Sequence, residues 1–90
     1  MKIKKDLILR RIGNENIIIV PDRYIVDMTE VFSLNETSAW IWEQIQNREF
    51  SIEDIVELVE EHYEVGREEA MKDVQFFINF LRKKELIVDN

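Results

Sequence analysis

The chain has no cysteine, one proline, two glycines and a single histidine in 90 residues. Without cysteine there is no disulfide, no thiolate nucleophile and no zinc–thiolate site. Two glycines, Gly13 and Gly66, cannot make a glycine-rich phosphate loop. The lone His62 stands at the end of a predicted helix among glutamates and reads as a solvated helix-terminal residue rather than a general base. Carboxylates are plentiful, but nothing in their spacing fixes a pair in a cleft. No catalytic activity, no metal and no cofactor are therefore expected. Long apolar runs are also missing: no stretch approaches the ~18 residues of a membrane span. The basic start, Met1-Lys2-Ile3-Lys4-Lys5-Asp6, is followed only by Leu7-Ile8-Leu9 before Arg10-Arg11, too short for a signal-peptide core. The expectation is a cytoplasmic chain with no membrane partner.

Basic residues are in short supply as well. Twelve lysines and arginines face 19 aspartates and glutamates, for a net charge of −7. Affinity for a phosphate backbone comes mainly from lysine and arginine, so this balance argues against nucleic acid. The charge is uneven: residues 1–34 hold six basic and five acidic side chains, residues 35–90 six and fourteen. What is present in quantity is apolar surface, 46% of residues, beside 34% charged, the balance of a globular protein. A chain of this length makes one domain, residues 1–90, with one modest core.

The order of elements follows from local signals. Ile8–Ile12 and Ile17–Val20 are short β-branched runs separated by Gly13-Asn14-Glu15-Asn16, which predicts a hairpin. Pro21-Asp22 ends the second strand, because proline has no N–H for a ladder. A third extended segment runs from about Met28 to Leu34. It leads into Leu34-Asn35-Glu36-Thr37-Ser38-Ala39-Trp40-Ile41-Trp42-Glu43, where Asn35 reads as an N-cap and Glu36 suits the positive end of a helix dipole. That helix should reach about Gln46. Ser51-Ile52-Glu53-Asp54 has capping-box spacing, and Ile52, Ile55, Val56 and Val59 follow at helical intervals to about Tyr63. Gly66 caps a third helix to about Lys84, and Leu86-Ile87-Val88 is a short apolar tail. The predicted class is α+β, a three-stranded antiparallel sheet followed by three helices, in the manner of a winged helix-turn-helix.

The frame "LNETSAWIWE", followed by "SIEDIVELVEEHYEV" and "REEAMKDVQFFINFLRKKELI", resembles the PqqD-like family, named for pyrroloquinoline quinone biosynthesis. Its members are also known as recognition elements of ribosomally made, post-translationally modified peptides. The resemblance covers about Leu7 to Ile87, and "LILRRIGNENIIIVP" fits the family's opening hairpin. It implies a winged-helix-like domain without catalytic activity of its own. Such a domain binds the leader of a precursor peptide and presents it to a modifying enzyme, often a radical SAM enzyme. The leader adds as a strand beside the third strand and packs against the third helix. Carried onto this chain, the contact set is Glu30, Val31, Phe32 and Ser33 on the strand, with Asp73, Phe76, Phe77, Phe80, Lys83 and Lys84 on the helix.

The residues themselves bear on such a surface. At 100° per residue, Ala70, Val74, Phe77, Ile78 and Leu81 make a stripe wide enough for a core face. Phe76 and Phe80 extend it on one flank, either packing on the sheet or walling a groove. Lys83 and Lys84 lie near that flank, where they could meet acidic groups of a peptide or simply complement the helix dipole. An edge at Glu30–Ser33 can be extended by an incoming strand. Trp42, with Ile41 and Ile45, is expected in the core; Trp40 faces another direction, half exposed or covering a second apolar surface. Two rival readings use the same elements. A DNA-binding winged helix would present Arg67, Glu68, Glu69, Lys72 and Asp73 to the groove behind a glutamate-rich second helix, a surface that repels phosphate. A homodimeric structural module would use the same strand edge and spare apolar arc for self-association.

Overall fold

The computed structural model describes residues 1–21 and 29–89, and for Pro21 and residues 29–31 it describes the backbone alone. Expected features at Asp22 and Met28 lie outside the described residues. Strand β1 spans Lys2–Ile3, β2 Ile8–Ile12, β3 Glu15–Pro21 and β4 Thr29–Leu34; helices α1 (Glu36–Ile45), α2 (Ile52–Tyr63) and α3 (Arg67–Lys83) follow, then β5 (Ile87–Val88). The larger sheet is antiparallel in the order β2-β3-β4. The α+β class, with a three-stranded antiparallel sheet and three helices, is what the structure has.

The hairpin is tighter than its sequence suggests. Ile12 pairs with Glu15, so the loop is only Gly13-Asn14, and Glu15 and Asn16 belong to the strand. Gly13 takes φ 62° while Asn14 does not turn left-handed, the pattern of a II′ turn, whose twist matches the strands it joins. β3 runs through Pro21, which pairs with Thr29 at the end of the ladder where a missing N–H costs least. In register, Ile18 faces Leu9 on one side and Phe32 on the other, and Ile18 is fully buried. This trio covers the helices. The opposite face carries Ile8 and Ile12, both exposed.

Each helix begins as its local chemistry requires. The Asn35 side chain accepts from the Ser38 N–H at 2.8 Å. Ser51 and Asp54 form a complete capping box, each side chain accepting from the other's N–H at 3.1 Å. Glu64 ends α2 in the left-handed region, φ 53°. α3 starts at Gly66, whose carbonyl accepts from Ala70 N–H at 3.0 Å. Ala70, Val74, Phe77, Ile78 and Leu81 are buried together, the stripe read from the periodicity. Trp42 is wholly buried, with its indole N–H unpartnered among the described residues.

The apolar tail is a correction. Leu86 and Ile87 are buried, and Ile87–Val88 pairs antiparallel with Lys2–Ile3 as a second, two-stranded sheet. Leu86 N–H donates to the Leu81 carbonyl at 2.8 Å, Lys4 N–H to the Leu86 carbonyl at 3.0 Å, and Phe50 N–H to the Met1 carbonyl at 2.9 Å. The partners come from opposite ends of the chain, so no local pattern announces them. Replacing Asn35 by alanine is expected to lower stability by about 1 kcal/mol in urea denaturation, and Asn35→Asp, which keeps the acceptor and suits the helix dipole, to retain it.

Candidate functional site

β4 is the edge of its sheet, pairing only with β3 among the described residues. Its other side therefore offers backbone N–H and C=O groups along Thr29–Leu34. Glu30 is opposite Val20, Val31 opposite Ile19, Phe32 opposite Ile18 and Ser33 opposite Ile17. The side chains of Glu30 and Val31 lie outside what is described.

α3 flanks this edge. Phe80, half-buried, meets Phe32 edge-on, with ring centroids 5.8 Å apart and an interplanar angle of 88°. Phe76, one turn earlier, is 76% exposed. Phe77 is 2% exposed and belongs to the core. The flank thus resolves into two roles: Phe80 packs on the sheet through Phe32, and Phe76 stands free. Between them lies a cavity of about 260 Å³ lined by Ser33, Leu34, Asn35, Ser38, Phe76, Phe77 and Phe80. A smaller hollow of about 100 Å³ continues it, sharing Asn35, Ser38 and Phe76 and adding Thr37, Ile41 and Asp73. Phe77 reaches the cavity only as a buried wall. The Lys84 ammonium lies 5.5 Å over the Phe32 ring, a cation–π contact at the other end of the groove. Lys83 is exposed beside it.

Asn35 and the start of α1, outside the contact set read from the sequence, also line the cavity. Asn35 and Ser38 serve as cap and first-turn residue, and the same two side chains form the polar lip of the cavity. The signal was present, since a cap directly after an edge strand must sit at that strand's end. Trp40 also finds its place. It stacks on His62, centroids 4.1 Å and planes 15° apart, and meets Tyr63 edge-on at 5.5 Å. His62, though exposed, is therefore a ring partner joining α1 to α2 rather than merely a solvated terminus, a contact between residues too far apart in sequence to be read locally. Arg67 joins α3 to α2 through Glu53 and, at 3.1 Å, Glu60; the Glu53 hydrogen bond, then its charge, raises the guanidinium pKa further.

A second cavity of about 260 Å³ is lined by Lys2, Lys4, Lys5 and Arg48 among others, near the paired chain ends. Its lining mixes these cations with Ile3, Leu7, Gln46 and Asn47 and includes no described residue of the larger sheet, whereas the groove beside α3 combines apolar walls with the free edge of β4.

Residues 15–87 match the family model of coenzyme PQQ synthesis protein D (PqqD), and the chain belongs to that family. Among solved structures it is similar to TbiB1 in complex with the TbiA(beta) leader peptide, with a TM-score of 0.72 and 24% identity over 99% of this chain and 100% of that one. No curated protein matches the chain. No helix among the described residues is long and apolar enough to cross a membrane.

Core and wall are separable by mutation. Phe77→Ala is expected to cost about 3–5 kcal/mol of stability in chemical denaturation, while the same change at exposed Phe76 stays within about 0.5 kcal/mol.

Proposed function

We propose that this protein is a non-catalytic accessory domain that binds the leader of a ribosomally made precursor peptide and presents it to a modifying enzyme, of the radical SAM type or another. The observation that carries this reading is the meeting of a free strand edge, β4, with the aromatic flank of α3 across an apolar cavity. An extended peptide adding to β4 gains backbone hydrogen bonds along the edge, and alternate side chains drop toward Phe76 and Phe80. Glu30, Val31, Phe32 and Ser33 then supply the strand contacts and Asp73, Phe76, Phe80, Lys83 and Lys84 the helix contacts, with core residue Phe77 only backing the cavity. Membership of the PqqD family supports the reading, as does a fold shared with a protein solved with its leader peptide.

In this reading residues 1–90 act as one domain, winged helix-turn-helix-like in its arrangement of sheet and α2–α3, needing no cofactor and working in the cytoplasm. Nucleic acid is a poor partner, because α2 and the start of α3 expose Glu53, Asp54, Glu57, Glu61, Glu68 and Glu69. The same open edge favours a second reading, pairing of β4 with β4 of another copy as a homodimer.

The reading frames next to the gene supply candidate leaders for a titration of ¹⁵N-labelled protein. Amide shifts should concentrate in β4 and α3. Phe80→Ala and Val31→Pro should each weaken binding about tenfold or more with the helical CD signal retained. Normal binding by both variants would move the site elsewhere, and light scattering that showed a dimer indifferent to peptide would favour the second reading.

A further inference from the structure

The charges on the groove side of α3 are ordered along it. Glu69 and Asp73, Phe76 and Phe80, then Lys83 follow one another at intervals of three or four residues and so share one stripe of the helix, which Lys84 prolongs at the C-cap. All four charged side chains among them are exposed, and none has an ion-pair partner among the described residues. Elsewhere on the helix Arg67 pairs with Glu53 and Glu60 and Arg82 with Asp89 at 3.2 Å, while exposed Glu68 and Lys72, like the stripe charges, have no ion-pair partner among the described residues. The helix dipole accounts for acids at the start and bases at the end. It does not by itself place Glu69 and Asp73 before, and Lys83 and Lys84 after, the two phenylalanines of one stripe.

The contacts also fix how this stripe runs against β4. Phe76 and Phe77 line the cavity with Leu34 and Asn35 at the end of the strand, while Phe80 and Lys84 meet Phe32 earlier in it. α3 is therefore antiparallel to β4. A peptide strand pairing antiparallel with β4, as every pairing in this sheet already does, travels in the same direction as α3. Its N-terminal part passes Asp73 and its C-terminal part passes Lys84. From Phe80 to Lys84 is four helical residues, about 6 Å of rise. That is close to the ~6.7 Å between strand residues i and i+2, which point to the same face.

Resting on the peptide-capture reading above, we infer that the groove selects leaders with an apolar residue seated in the Phe76–Phe80 cavity and a carboxylate two residues C-terminal to it, facing Lys83 and Lys84. Asp73 and Glu69 repel a carboxylate placed on the N-terminal side. The charges therefore set both which peptides enter and which way they lie. Strand hydrogen bonds alone leave direction and register weakly specified; an acid at one end of the anchor removes that ambiguity.

The test uses the full chain and three fluorescent synthetic peptides of one β-prone sequence built around a leucine. The first carries glutamate two residues after the leucine, the second lysine there, the third glutamate two residues before it. In low salt the first should bind about three- to fivefold tighter than either of the others, a preference that fades near 1 M salt, where the Debye length is about 3 Å. The double variant Lys83→Glu/Lys84→Glu should reverse the order of the first two. Equal binding of all three, with amide shifts still in β4, would overturn the inference and leave strand addition standing. Tighter binding of the third would overturn the direction of the peptide. Absence of binding by all three, and of any β4 shift with the candidate leaders, would remove the capture reading itself.

Discussion

One residue, Asn35, separates the last strand of the sheet from the first helix, and its side chain must cap that helix at once. With no linker to absorb slack, the direction in which β4 ends sets the direction in which α1 begins. Leu34 is buried on one side of this joint, and Ala39, Ile41 and Trp42 are buried just beyond it, so the joint is held by packing as well as by the cap. α2 and α3 are then laid against a frame already oriented. The cavity beside α3 is a consequence, since Leu34, Asn35 and Ser38 form one wall and Phe76, Phe77 and Phe80 the other.

α3 carries more apolar surface than the core consumes. Five of its residues are buried, and Phe76 and Phe80 remain on the flank that looks toward the sheet edge. The exposed Phe76 costs solubility and contributes nothing to the packed interior. A large apolar residue left beside an open strand edge is consistent with a surface kept for a partner, which is how the family membership and the geometry come together.

Much of this was legible in the sequence because the governing physics is local. Helix starts follow from Asn35 and from the Ser51–Asp54 box, and the hairpin from β-branched runs about Gly13, because caps and turns involve residues only a few positions apart. The buried stripe of α3 follows from helical period alone. What escaped depends on distant partners. The short runs Lys2–Ile3 and Ile87–Val88 have no meaning as strands until each finds the other, and the stack of Trp40 on His62 requires α1 and α2 to be packed. Whether Phe76 and Phe80 pack on the sheet or wall a groove is an intermediate case: period places both on one flank, but only the position of the sheet half-buries Phe80 against Phe32 and leaves Phe76 exposed.

The pairing of β1 with β5 joins segments from the two ends of the described chain, and the groove likewise needs β4 brought against the far end of α3. Contacts of such long sequence separation carry the largest chain-closure entropy in the molecule. The α2–α3 pair, by contrast, is local, and its capping box and Arg67 ion pairs close only short loops. A molecule with its helices in place but its sheet undocked would give a nearly complete helical CD spectrum and have no groove. The groove beside α3 therefore reports on the whole fold: it exists only when the non-local contacts are made.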